Sequence, residues 1–97
     1  MKKIIEILQE ELSTAFEKAG YDKKYAKVTV SNRPDLCQYQ CNGALAAAKE
    51  YHKAPIQMAN EVVAILENSD TFAQITAQMP GFINIVVSEQ FLADYIN

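Results

Sequence analysis

Along the first stretch of the chain, apolar side chains recur at three- and four-residue steps: Ile5, Leu8, Leu12, Ala15, Phe16 and Ala19. That spacing gathers them on one face of a helix, leaves Glu6, Glu10, Glu17 and Lys18 elsewhere, and meets a natural stop at Gly20. The period then shortens to two. Lys27-Val28-Thr29-Val30-Ser31 alternates polar and apolar residues as a half-buried strand does, and Asn32-Arg33-Pro34-Asp35 supplies turn chemistry. A second short strand is expected over Leu36 to Tyr39. From about Asn42 the run Ala44-Leu45-Ala46-Ala47-Ala48-Lys49 favours a helix whose small side chains permit close packing. Pro55 suits a first helical position, and Ile56, Ala59, Val63 and Leu66 mark the apolar stripe of the helix that follows. Phe72 to Ala77 and Phe82 to Val87 read as two strands joined by Gln78-Met79-Pro80-Gly81, whose Pro-Gly pair signals a turn. Ser88 then caps a short helix carrying Phe91, Leu92, Tyr95 and Ile96.

The order is helix, two strands, helices, two strands, helix. It predicts a two-layer α+β domain, with a small, mostly antiparallel sheet of three to four strands and helices on one face. Ninety-seven residues are enough for one domain spanning 1–97, with no internal repeat and no low-complexity linker. A hydrophobic fraction of 49% beside 22% charged residues fits a folded protein rather than a disordered one.

No apolar run approaches the roughly 20 residues that a membrane helix needs. The basic and then apolar start, Met1 to Ile5, is broken at once by Glu6, Gln9, Glu10 and Glu11, so it is no signal peptide. The expected location is the cytoplasm. There Cys37 and Cys41 are expected to be reduced thiols, and with His52 they make too few ligands for a structural zinc. A thiol–imidazole enzyme would need one of those cysteines beside His52, and sequence proximity does not provide that. Gly43 and Gly81 stand alone, so no glycine-rich phosphate loop is present. Tyr39, Tyr51 and Tyr95 read as amphipathic residues at the edge of the core.

The net charge of −3 argues against gripping nucleic acid by charge alone. Its distribution is uneven. Lys18, Lys23, Lys24, Lys27 and Arg33 face only Asp22 between residues 18 and 33, a local +4 that leaves −7 elsewhere. That segment suits a phosphate or two, or simply a solvated loop.

The last strand carries the most specific signal. Alternation sends Ile83, Ile85 and Val87 to one aliphatic face and Phe82, Asn84 and Val86 to the other. With helices on one side only, the second face meets solvent or a partner. An aromatic ring beside an amide can stack on an unpaired base and bond its edge. The same residues also fit a plainer arrangement, in which Phe82 closes the rim of the core and Asn84 is solvated.

Two stretches together resemble a known family. Tyr39-Gln40-Cys41-Asn42-Gly43-Ala44-Leu45-Ala46-Ala47-Ala48-Lys49, then Pro55 and its helix, is similar to the aromatic-Gln-small-Asn segment of arginyl-tRNA synthetase N-terminal domains. Pro80-Gly81-Phe82-Ile83-Asn84-Ile85, with Ser88-Glu89-Gln90-Phe91-Leu92 behind it, resembles the Pro-Gly-Phe-Ile-Asn strand of the same domains. The resemblance spans essentially the whole chain, although Cys37-Gln38 stands where relatives often have Gly-Asp.

The resemblance implies a domain that leans on the tRNA elbow and reads an exposed D-loop base through Phe82 and Asn84; the local charge excess adds Lys23, Lys24, Lys27 and Arg33 as candidate tRNA contacts. It implies arginine-specific tRNA and the catalytic domain of the same polypeptide as partners. It also implies ATP with magnesium in the parent ligase, but neither a cofactor nor a metal within these residues. HIGH-type and KMSKS-type signatures are absent, so no catalytic residue is expected here, and the chain ends about where a linker to the catalytic domain would begin. The alternative from a different class is a stand-alone protein–protein interaction domain that uses the exposed sheet face. It requires an apolar patch extending beyond Phe82 and Val86 and gives Asn84 no task.

Overall fold

A computed structural model describes all residues from Met1 to Asn97. Helix α1 spans Ile4–Lys18, a single 3₁₀ turn follows at Lys23–Tyr25, and strands β1 (Val28–Val30) and β2 (Tyr39–Cys41) form a hairpin. Helices α2 (Gly43–Tyr51) and α3 (Pro55–Leu66) lead to strands β3 (Phe72–Gln78) and β4 (Phe82–Val87), and α4 (Glu89–Ile96) closes the chain. The sheet is fully antiparallel in the order β1-β2-β4-β3, with the helices on one face. The expected two-layer α+β architecture is the observed one. No helix is long and apolar enough to cross a membrane.

The core lies between the layers. Leu8, Leu12 and Phe16 of α1 and Met58 and Val62 of α3 meet Cys41 of β2 and Ile83 and Ile85 of β4, all fully buried. Phe91 and Leu92 of α4 pack against the margin of that cluster. Local chemistry fixes the element ends. Gly20 takes a φ of +94°, the left-handed conformation that releases the chain from α1 at little cost to glycine. Pro55 starts α3, and the Ser88 hydroxyl accepts from the Phe91 N–H at 3.0 Å to cap α4.

Two expectations are corrected. The second strand is Tyr39–Cys41, not Leu36–Tyr39. The turn after β1 runs further than its sequence suggests, because the N–H groups of both Leu36 and Cys37 donate to the Arg33 carbonyl, and Leu36 is left exposed. Pairing with β4 then sets the strand, with Tyr39 opposite Ile85 and Cys41 opposite Ile83. The stripe of α3 is also rotated. Met58, Ala59, Val62 and Leu66 are buried, whereas Ile56 and Val63 are half-buried at its margin.

Candidate nucleic-acid interface

The sheet face away from the helices is built from period-two positions on all four strands. Across its middle, Thr29 lies opposite Gln40, Gln40 opposite Asn84, and Asn84 opposite Thr76. Flanking that row, Phe82 pairs with Gln78 and Val86 with Gln74. Phe82 and Val86 are half-buried, and Thr29, Thr76, Gln74 and Gln78 are exposed. The strand neighbours of the two apolar side chains are therefore glutamines and threonines, and no broad apolar patch spreads from them. This is a polar platform with one aromatic ring.

Asn84 sits on this face, as alternation requires, but it is not the freely solvated amide that alternation alone suggests. It is only 9% exposed, the sole polar residue in the buried set. The Gln40 Nε2 donates to Asn84 Oδ1 at 2.8 Å, and Asn84 Nδ2 donates to Gln78 Oε1 at 2.6 Å. Burial of the amide is thus compensated by hydrogen bonds from both adjacent strands. Sequence reasoning missed these partners. Their signal was present in Gln40 before the second helix and in Gln74 and Gln78 of the third strand, positions that alternation sends to the face of Asn84.

The basic residues do not form one cluster. A groove of about 530 Å³ runs beside the start of β1, lined by Lys24, Tyr25, Lys27, Thr29, Asn42 and the α2 entrance. Thr29 belongs both to this groove and to the open sheet face, so the two surfaces meet there. Lys24 Nζ lies 3.3 Å from Glu50, whose hydrogen bond raises the lysine pKa and keeps it charged. Arg33 lies past the far end of β1 and is bound by Asp35 through two bonds, at 2.9 and 3.1 Å. That pairing holds the Asp35 carboxyl below its ordinary range. Lys18, Lys23 and Lys27 have no acidic partner within ion-pair distance.

The remaining candidate chemistry is dispersed. Cys37 and Cys41 are buried free thiols; Cys37 Sγ donates to Ser31 Oγ at 3.3 Å and Cys41 Sγ to the Tyr25 carbonyl at 3.6 Å. Burial pushes the Cys41 thiol up to about 11. His52 is exposed at the C-terminal end of α2, where its left-handed φ of 53° ends that helix. No group of three or more His, Cys, Asp or Glu residues is arranged to hold a metal ion.

The chain is thus a two-layer α+β domain whose antiparallel sheet carries an aromatic ring and an amide on its uncovered face, beside a lysine-lined groove. Residues 2–87 match the family described as the arginyl tRNA synthetase N terminal domain, and the chain belongs to that family. It is 57% identical over its full length to the arginine–tRNA ligase of Alkaliphilus oremlandii and 54% identical to that of Agathobacter rectalis, and it spans 16% of each. In fold it matches the arginyl-tRNA synthetase of Plasmodium falciparum with a TM-score of 0.82, covering 97% of this chain and 18% of that one at 20% identity.

Proposed function

We propose that residues 1–97 are the N-terminal tRNA-recognition domain of a longer arginine–tRNA ligase, which contacts the tRNA elbow and reads an unpaired D-loop base with Phe82 and Asn84. The observation that carries this reading is their joint position on β4. The two stand about 7 Å apart along the strand, on the face that no helix covers. Phe82 offers a ring for stacking, worth roughly 1–3 kcal/mol per base. Asn84 keeps one Oδ1 lone pair and one N–H after bonding Gln40 and Gln78, enough for a two-point contact with a base edge.

Lys24 and Lys27 line the groove that meets this face at Thr29, which favours them for the flanking phosphates, with Lys23 beside them. Arg33 is the least suited, since it lies outside that groove, past the far end of β1, and is paired with Asp35. Holding the elbow here fixes the orientation in which the tRNA meets the catalytic domain of the same polypeptide, so the domain contributes by positioning. ATP with magnesium belongs to that catalytic domain, and no residue of this chain is assigned to it. The ligase works in the cytoplasm on arginine-specific tRNA.

Chemical probing of D-loop bases tests the reading directly. Full-length ligase bound to its tRNA is expected to shield one unpaired D-loop base, and Asn84→Ala together with Phe82→Ala is expected to expose it again. A D-loop equally reactive with and without the protein contradicts the proposal.

A further inference from the structure

Resting on that base-contact reading, we infer that Gln40 and Gln78 are positioning residues, which lock the Asn84 amide in one orientation so that the site sorts bases by the order of donor and acceptor on their edges. A side-chain amide has an acceptor end and a donor end of nearly the same shape. A free asparagine can turn over and satisfy either order on a base. Asn84 is not free. Its oxygen takes the Gln40 N–H from β2 and its nitrogen gives an N–H to Gln78 on β3, so three amides run head to tail across the sheet.

Turning Asn84 alone would set its NH₂ against the NH₂ of Gln40 and its oxygen against that of Gln78. At 9% exposure, water is poorly able to repair the loss. The three amides therefore turn only as a set, and the direction assigned is the one seen in the structure, with Gln40 donating and Gln78 accepting. The direction of the row decides which end of Asn84 lies towards β2 and which towards β3.

The consequence for recognition is specific. On their Watson–Crick edges adenine and cytosine present an amino donor beside a ring-nitrogen acceptor, whereas guanine and uracil present a carbonyl acceptor beside a ring N–H donor. For a base stacked one way on Phe82, an amide row of fixed direction matches either adenine and cytosine or guanine and opposes the other, while uracil, with a carbonyl on each side of its ring N–H, meets either direction.

Two substitutions that add the same charge separate the outcomes. A carboxylate only accepts. Gln78→Glu keeps the row as it is, because position 78 already accepts from Asn84 Nδ2. Gln40→Glu cannot donate to Asn84 Oδ1, so it draws the Asn84 NH₂ towards β2 and reverses the row, with Gln78 turning to donate. Gln40→Leu removes the donor without adding charge and narrows the preference.

The experiment measures kcat/KM for arginylation by the full-length ligase, using tRNA transcripts with A, C, G or U at each unpaired D-loop position in turn. The wild type and Gln78→Glu are expected to favour the same side of the contrast between adenine and cytosine on one hand and guanine on the other, on the order of tenfold, and Gln40→Glu the opposite side, with uracil accepted by all three. Repulsion of RNA by the added carboxylate lowers both variants alike and leaves these ratios unchanged. If Asn84→Ala abolishes the wild-type preference but both glutamate variants retain it, the locked row is overturned and the base contact stands. A preference sorted by ring size instead of edge also overturns it. If no D-loop position matters to the wild type and Asn84→Ala charges normally, the base contact fails and the inference fails with it.

Discussion

Gly81, which begins the return into β4, lies against Pro55 at the start of α3 so closely that an added Cβ would sit 2.5 Å from the Pro55 Cβ. The β3–β4 turn and the first turn of α3 are thereby packed together, and Phe82 follows directly from that contact.

Gly81→Ala is therefore expected to be harmful through crowding, costing about 1–3 kcal/mol as overpacked sites do. Gly20→Ala is expected to cost about 1–2 kcal/mol for a different reason, because φ there is +94° and nothing lies within 4 Å of the added methyl. Thermal melting of the two variants, each also made in a Pro55→Gly background that removes the opposing Cβ and compared with Pro55→Gly alone, distinguishes the causes. Relieving Pro55 should recover part of the Gly81→Ala loss and none of the Gly20→Ala loss. Equal recovery in both would contradict this assignment.

Much of the fold was legible because its signals are local. The strand Phe82–Val87 was bounded correctly by its turn and by the Ser88 cap, and Pro55 and Gly20 announced the ends of their helices. The errors lie where distant segments decide. The position of β2 follows from its pairing with β4, and Gln40 and Asn84 are 44 residues apart in sequence. The rotation of the α3 stripe reflects which side of that helix the sheet and α1 cover, a matter of packing that periodicity with several apolar residues per turn leaves open. For the site, alternation found the face of Phe82 and Asn84 but not the two glutamines that bury the amide.

The thiols provide a check on the core. Cys41 is fully buried, with its pKa raised to about 11, and Cys37 is 3% exposed. Neither is expected to react with iodoacetamide at pH 8 within minutes in the folded chain, and both should react once it is denatured. Rapid labelling of Cys41 under native conditions would place it outside the core described above.

At the junction of α1 and α3, the Tyr21 hydroxyl donates to Glu61, while Lys53 Nζ lies 2.8 Å from the tyrosine oxygen and 3.6 Å from the carboxylate. The Tyr21 hydrogen bond, followed by the charge of Lys53, holds the Glu61 pKa below its ordinary 4.5. A carboxyl depressed on folding adds stability above its unfolded pKa and loses it as pH falls through the folded value. Tyr21→Phe should thus lower the melting temperature more at pH 7 than at pH 3. A penalty that grows on acidification would contradict this ionisation state.

On the proposed reading Phe82 and Asn84 serve tRNA recognition and not the core, and their contrast with Ile83 tests it. Ile83 is fully buried between the sheet and the helices, so Ile83→Ala is expected to cost on the order of 2–5 kcal/mol of domain stability. Phe82→Ala and Asn84→Ala act on the opposite face. They should reduce kcat/KM for tRNA in the full-length ligase while the domain stays folded, and the double variant should lose less than the summed effects, as engagement of both side chains by one base requires. The measurement is arginylation efficiency and melting temperature for the three variants, side by side. Impaired charging with a folded domain for Phe82→Ala and Asn84→Ala, against a large loss of stability for Ile83→Ala, is the predicted result. Normal charging by both Phe82→Ala and Asn84→Ala, or unfolding of Phe82→Ala to the same degree as Ile83→Ala, would contradict it.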